Sequence, residues 1–411
     1  MNTIERALFP EIYDPPGENG ILPWQDIIRM VRTGRISASP DIPDSQIQPA
    51  SIDLRLGRQA YRVRASFLRG RSKTLLTKVN EMLDGDSPTI DLTSATPAVL
   101  EPGVVYIVPL LEKLRLPEDI HGIANPKSTT GRLDIFTRLI TECGDEFDRV
   151  PKGYSGELYV EISSRTFPIR LRSGMRLNQL RFVRGNSGPL NDTSLRDLAK
   201  QHPLVCDTNG TPAKNQIRNG VEITVDLMGG SSSDIVAYKA KHDRSNPLII
   251  ELDRVNYYQP TDFWQAFPRP DDGRIVLDPG GFYLLASKKR VSIPLDHAAE
   301  MIAHDPNMGE FRVHYAGFFD PGFGFGNNGE ILGTKAVLEV RAYEVPILLE
   351  DDHLVGRLNY YRMAAAPGRV YGLSIGSSYQ QQGLALSKQF RRSDTTSNHA
   401  PQGNVHNLAA V

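Results

Sequence analysis

Cysteine is scarce: Cys143 and Cys206 stand alone in 411 residues, too few and too far apart for a disulfide framework, which points to a reducing compartment. Charge of one sign is not in excess either. Lys and Arg number 47 against 48 Asp and Glu, a net charge of −1, so no global field gathers a polyanion such as DNA and any anion site must be built locally. Long apolar runs are also lacking. The opening stretch MNTIERALFPEIYDPPGENG mixes acidic residues and prolines into its apolar ones, unlike a signal peptide or a membrane span. The expectation is a cytoplasmic protein with neither nucleic acid nor membrane as a partner.

What is present is ordinary globular composition, 40% hydrophobic and 23% charged, in a chain long enough for two or three domains. LPWQDIIRMVRTGRIS predicts one short helix, with Pro23 at its start, Ile27, Ile28 and Val31 on one face and Gly34 as a stop. Beyond it come short alternating runs such as ASIDLRLG, GVVYIVPL, GELYVEIS and FPIRLRSG, each bounded by Gly, Pro, Ser or Asn. With 35 Gly and 29 Pro supplying turns, the pattern predicts a mainly β protein, a sandwich or jelly-roll barrel rather than a parallel α/β sheet. The strand pattern is weakest over 184–220. We therefore expect a first domain over 1–190, a linker over 191–220 and a second domain over 221–411.

The two domains read as copies. VLEPGVVY at 99–106 matches VLDPGGFY at 276–283, an offset of 177 residues (283 − 106 = 177) that also carries Pro117 onto Pro294. Further on the offset becomes 178 (339 − 161 = 178) and pairs Glu161 with Glu339, Pro168 with Pro346 and Leu180 with Leu358. A register kept to one residue over this distance implies one β-domain used twice. The copies differ where chemistry concentrates. IANPKSTTGRLDIF at 123–136 crowds a lysine, hydroxyls, a glycine and an arginine between two strands; the shifted positions in IAHDPNMGEF have no such set. The second copy instead carries HYAGFFDPGFGFGNNGE, with Asp320-Pro321-Gly322 as a tight turn after a strand.

These stretches resemble the deoxycytidine triphosphate (dCTP) deaminase family, β-barrel enzymes related to the dUTP pyrophosphatases. DIIRMVRTGRISASP with IQPASIDLRLG is similar to that family's opening helix, basic turn and first strand. PKSTTGRLD resembles its Gly-Arg-Ser-Ser-x-x-Arg-Leu-Gly motif, with Lys127 at the first arginine, Ser128 and Thr129 at the serines and Arg132 at the second arginine. YSGELYVEI and AVLEV place Glu161 and Glu339 at the catalytic glutamate, and LRSGMRLNQLRF resembles the closing strand. AGFFDPGF matches the substrate segment at Ala316, Asp320, Pro321 and Gly322; SSYQQQG matches the tail at Tyr379 and Gln382. Phe318 stands where the family has an arginine and Ser378 where it has a lysine.

The resemblance implies two tandem distorted jelly-roll barrels of dUTP pyrophosphatase type, behind a short N-terminal helix. It implies zinc-independent deamination of dCTP to dUTP and ammonia, by a homo-oligomer, trimer or larger, whose sites form where unlike copies meet. Lys127, Ser128, Thr129 and Arg132 would grip phosphates; Ala316 and Asp320 would hold base and sugar, with Tyr379 and Gln382 closing the site. Replacing an aromatic amine by oxygen needs an activated water and protons for the ring nitrogen and the leaving ammonia, work one desolvated carboxylate can do. Glu161 and Glu339 both remain candidates for it, and Glu339 is preferred because it shares a copy with the Asp-Pro-Gly turn. Read singly, either is an ordinary solvent-facing position on an alternating strand. The zinc deaminases need a Pro-Cys-x-x-Cys pair, which the two distant cysteines do not supply. Magnesium is expected only on the substrate's phosphates. A dUTP pyrophosphatase, a bifunctional enzyme and a non-catalytic nucleotide-binding protein are the alternatives.

Overall fold

The computed structural model describes residues 17–70, 74–142, 144–214, 216–229, 234–241, 248–302, 311–314 by backbone, 317–342, 344–372, 379 and 382–392. Among the described residues the chain is mainly strand, arranged in six sheets of two to six strands, with short helices. No helix among them is long and apolar enough to cross a membrane. The expected helix, α1, spans Trp24–Arg32 and buries Ile27, Ile28 and Met30 against the strands; Val31 is only half-buried. Gly34 ends it with a φ of +67°, a conformation that costs glycine little.

The first copy is built on β1 (Ile52–Arg55), β2 (Val105–Arg115), β3 (Ile120–Pro126), β4 (Ile135–Thr141), β5 (Ser155–Ser164) and β6 (Arg176–Arg184). The second is built on β7 (Ile235–Ala240), β8 (Phe282–Val291), β9 (His297–Ile302), β10 (Phe311–His314), β11 (Phe318–Phe319), β12 (Thr334–Ala342) and β13 (Leu354–Arg362). Both copies pair in the same order. In the first, β6 lies between β1 and β3, and β5 between β2 and β4. In the second, β13 lies between the strand Val221–Thr224 and β9, and β12 between β8 and β10. The internal repeat is therefore a repeat of strand pairing, with β3 and β9 starting 177 residues apart (297 − 120 = 177) and β6 and β13 starting 178 apart (354 − 176 = 178).

The stretch expected to connect the copies is partly structured. Its helix α2, Asp192–Gln201, is capped by the Asn191 side chain accepting from the Ser194 amide, and buries Leu195 and Leu198 in the second core. Val205 and Cys206 then pair with β8.

Three devices hold the halves against each other. Ile250 and Glu251 run parallel to Ile169 and Arg170, adding a second-copy strand to a first-copy sheet. Phe167 meets Phe263 and Trp264 edge-on, with ring centroids 5.7 Å apart in both pairs, and the same cluster takes in Phe390. Arg341 on β12 reaches across to the buried Asp134, which also accepts from Thr166 Oγ1 at 2.6 Å. Together the shared strand, the aromatic cluster and the Arg341–Asp134 pair fix the face that β12 presents to the first copy.

Candidate active site

Strand periodicity sets the site. On β12, Ala336, Leu338, Val340 and Ala342 fill the second core, so Lys335, Val337, Glu339 and Arg341 point the other way; Val337, Glu339 and Arg341 face the first copy, while Lys335 pairs with Asp226 of its own copy. Glu339 is only 6% exposed there, on the wall of a cavity of about 60 Å³. Ser128 and Arg132, from the first copy, line the same cavity, together with Phe318, Asp320, Tyr379 and Gln382 from the second.

The turn carrying the first-copy residues is short and heavily bonded. Ser128–Gly131 makes one helical turn after β3, and the amides of Thr130 and Gly131 donate back to the Lys127 carbonyl. The Arg132 guanidinium is buried, donates to the Ala385 carbonyl at 2.9 Å and lies 3.8 Å from the centre of the Tyr379 ring. Ser387 Oγ donates to the Thr129 carbonyl at 2.8 Å, and Gln382 Nε2 to the Lys335 carbonyl at 3.3 Å. Tyr379 and Gln382 thus form part of the cavity wall, and Ala385 and Ser387 tie the stretch after them to the turn. Arg132 Nε and Gln382 Oε1 are buried without a hydrogen-bond partner among the described residues, which leaves polar atoms at the cavity for a ligand to satisfy.

Burial dominates the electrostatics. It pushes the Glu339 carboxyl up to about 8, against the pull of the Arg132 guanidinium and its own backbone amide. Asp320 is pushed up to about 6 by burial, with Arg181 pulling it back and the Asp53 carboxylate adding to the rise. Near neutral pH Glu339 therefore carries a proton it can give, and it lies within reach of the pH at which it can take one. Such a group suits general acid and base work.

The other sequence candidates lie elsewhere. Glu161 on β5 is 1% exposed, directly opposite Arg138 on β4, whose guanidinium bonds it at 2.6 Å and packs 3.7 Å from the Phe147 ring centre. It does not line the cavity of Glu339. Lys127 pairs with the buried Asp53 and, with Thr129, lines a second cavity of about 280 Å³ beside Arg176 and Lys388, on the other side of the turn. Burial lowers the Lys388 ammonium, and Lys127 lowers it further. Ala316 and Ser378 lie outside the described residues, as does Cys143. The structure also brings in a residue that sequence reasoning did not single out, Arg181 on β6, which reaches Asp320 at 3.4 Å. Its signal was an arginine between Leu180 and Phe182, both core positions, where the second copy has Asn359.

The expected meeting of unlike copies occurs here inside one chain. Because the halves share an apolar core and the Arg341–Asp134 pair, Arg132 reaches the Glu339 cavity without a neighbouring subunit.

A duplicated β protein with a buried proton-carrying carboxyl, a guanidinium and hydroxyls at one cavity belongs to the nucleotide-processing class. Comparison with known proteins narrows this. Residues 18–186 match the 2'-deoxycytidine 5'-triphosphate deaminase N-terminal domain, and residues 191–390 match the C-terminal domain of the same family. A dCTP deaminase of Natronomonas pharaonis is 31% identical over 165 residues, 40% of this chain and 80% of that protein. A "dCTP deaminase, dUMP-forming" of Dictyoglomus thermophilum is 29% identical over 174 residues, 41% of this chain and 81% of that one. The crystal structure of 2'-deoxycytidine 5'-triphosphate deaminase from Agrobacterium tumefaciens superposes with a TM-score of 0.77 at 44% identity, covering 84% of this chain and 99% of that chain. The chain belongs to the dCTP deaminase family.

The raised carboxyls carry a stability cost with a defined sign. Glu339 at about 8, Asp148 at about 7 and Asp320 at about 6 all hold protons in the folded state that the unfolded chain releases near their ordinary values of 4.5 and 3.8. The folded state binds more protons between pH 4 and 8, so stability falls as pH rises through that window. Glu339→Gln removes one of these contributions. Its melting temperature is expected to exceed the parent's by about 5 °C at pH 8.5 and to match it within about 1 °C at pH 4, by calorimetry at both pH values.

Proposed function

We propose that the chain converts dCTP and water to dUTP and ammonia, with Glu339 moving the protons. One observation carries this reading: a buried second-copy carboxyl that holds its proton to about pH 8 shares a cavity with Ser128 and Arg132 of the first copy. In the ionised form Glu339 takes a proton from water as the water oxygen bonds to C4 of the cytosine. The proton passes to the ring nitrogen, and a second transfer lets the C4 amine leave as ammonia while the C4–N bond breaks. The carboxyl ends as it began. Arg132 and Ser128 hold the anionic nucleotide beside it through charge-assisted bonds. Thr129 and Lys127 extend the grip toward the second cavity, where Arg176 and Lys388 add positive charge. Asp320, Tyr379, Gln382 and the backbone at Ala316 hold sugar and base. Magnesium arrives on the triphosphate as part of the substrate. Zinc independence is part of this reading and is supported by the sequence, whose two distant cysteines supply no Pro-Cys-x-x-Cys pair.

At about 60 Å³ the cavity is well below the roughly 300 Å³ of ordinary ligand pockets, so substrate entry requires its walls, Tyr379 and Gln382 among them, to move apart.

The rest of the reading is architectural. Each copy, over 1–190 and 221–411 with a linker over 191–220, is a distorted jelly-roll barrel of dUTP pyrophosphatase type; the matching strand order of the two copies supports this. A homo-oligomer, trimer or larger, is supported by the exposed apolar pair Val276 and Leu348, which face each other on a two-stranded sheet. A cytoplasmic location is supported by the low cysteine count.

A second reading, dCTP to dUMP with both ammonia and pyrophosphate released, is favoured by relatives whose names carry that product. One assay of the purified full chain with dCTP and magnesium separates the readings. One ammonia per dCTP without pyrophosphate is the expected result. Ammonia and pyrophosphate in equal amounts would move the assignment to the dUMP-forming reaction. No ammonia from dCTP, with pyrophosphate released when dUTP is supplied in a parallel assay, would make it a dUTP pyrophosphatase, and binding without any product from either nucleotide would make it a non-catalytic nucleotide binder.

A further inference from the structure

Arg181 sits on the first copy's closing strand, yet among the described residues its guanidinium hydrogen-bonds only second-copy groups. Nη1 donates to the Ala299 carbonyl at 3.1 Å, and Nη2 lies 3.4 Å from both the Phe319 carbonyl and Asp320 Oδ1. The guanidinium carbon is 4.0 Å from the centre of the Phe318 ring. At 1% exposure it is a buried cation, costly unless it is paired, and its Nε has no hydrogen-bond partner among the described residues. Pure cohesion between the halves would be better served by an apolar side chain of this size. Every group Arg181 holds belongs to the wall of the Glu339 cavity or to the strand beneath it, while Arg181 itself does not line the cavity.

We propose that Arg181 is a positioning residue for nucleotide binding: the first copy reaches under the second to hold the Asp320 carboxylate and the Phe318 ring in place against the cavity. The proposal rests on the reading of that cavity as the dCTP site. Its logic is the geometry of the guanidinium. A planar fork can meet a carbonyl and a carboxylate while its face packs on a ring, which a lysine ammonium cannot do. Glu300 and Tyr361, bonded to each other at 3.2 Å, add negative and polar field around the fork, while around Asp320 the Asp53 carboxylate and the Lys127 ammonium act in opposite directions. Without Arg181, burial acts on Asp320 with less opposition, so the carboxyl is held protonated more often and the turn Phe318–Asp320 loses its support.

The test is steady-state kinetics of ammonia release on the full chain for Arg181→Met, Arg181→Lys, Asp320→Asn and the Arg181→Met/Asp320→Asn double variant. Arg181→Met is expected to raise KM for dCTP about tenfold with kcat within about twofold, the loss of about 1.4 kcal/mol of binding. Arg181→Lys should raise KM in the same direction by a smaller factor. The double variant should have the KM of Asp320→Asn alone, since the two act as one unit. A folded Arg181→Met with the parent's KM, or effects that add in the double variant, would overturn the proposal. A purely structural arginine would lower the melting temperature and leave KM alone. If Arg181→Met does not fold, Arg181→Lys decides: an unchanged KM sinks the idea. A parent chain that releases no ammonia would end the reading of the cavity instead.

Discussion

Glu339→Gln is expected to lower ammonia release from dCTP by about a thousandfold, within the span that positioned acid and base groups contribute to catalysis. Glutamine keeps the shape and can hydrogen-bond, but it cannot take a proton from water or pass one on. Nucleotide affinity should stay within about threefold, because Arg132 and Ser128, the proposed phosphate contacts, are untouched. Isothermal titration with dCTP alongside the ammonia assay reads both quantities. The contrast with Glu161→Gln is the sharper half of the experiment. Glu161 is tied to Arg138 at 2.6 Å and lies away from the Glu339 cavity, so this variant should keep turnover within about twofold and lose some melting temperature as Arg138 loses its charge partner. Active Glu339→Gln beside inactive Glu161→Gln would move the chemistry into the first copy.

The same pair of glutamates shows how far the sequence could be read. Their equivalence was visible in the 178-residue offset, and so was the duplication that the strand pairing reproduces. The choice between them was not, because both occupy the same phase of the same strand. What separates them is the residue across the ladder: Arg138 opposite Glu161, and His314 opposite Glu339 in the backbone register. Register between strands far apart in sequence is a tertiary property, and local alternation does not report it. The arginine and hydroxyls of residues 127–132 stood out by composition, yet their division between two cavities did not. Lys127 turns to Asp53, a residue 74 positions earlier. The place of Tyr379 at the site was equally hidden, since QQQG reads as a polar tail until the Tyr379 ring is seen beneath the Arg132 guanidinium. Arg181 followed the same rule: its partners are more than a hundred positions away.

Arg132→Ala is the second large effect. Its guanidinium joins three things at once: the cavity shared with Glu339, the Tyr379 ring and the Ala385 carbonyl. Truncation removes a buried cation from its partners, a change that costs about 2–5 kcal/mol where such groups are desolvated. KM for dCTP should rise about a hundredfold, equivalent to roughly 2.7 kcal/mol. Turnover should also fall at neutral pH, because Arg132 is the group that opposes the upward push on Glu339; without it the carboxyl stays protonated to higher pH and less of it can accept a proton from water. The two effects separate by pH. Raising the pH should recover part of kcat in Arg132→Ala and none of the lost affinity, so the ascending limb of kcat moves to higher pH while KM stays high. Arg132→Lys restores the charge without the planar fork, and should return the pH limb toward the parent while leaving KM raised. A variant with raised KM and an unmoved limb would confine Arg132 to phosphate binding, and one with the parent's KM would remove it from the site altogether.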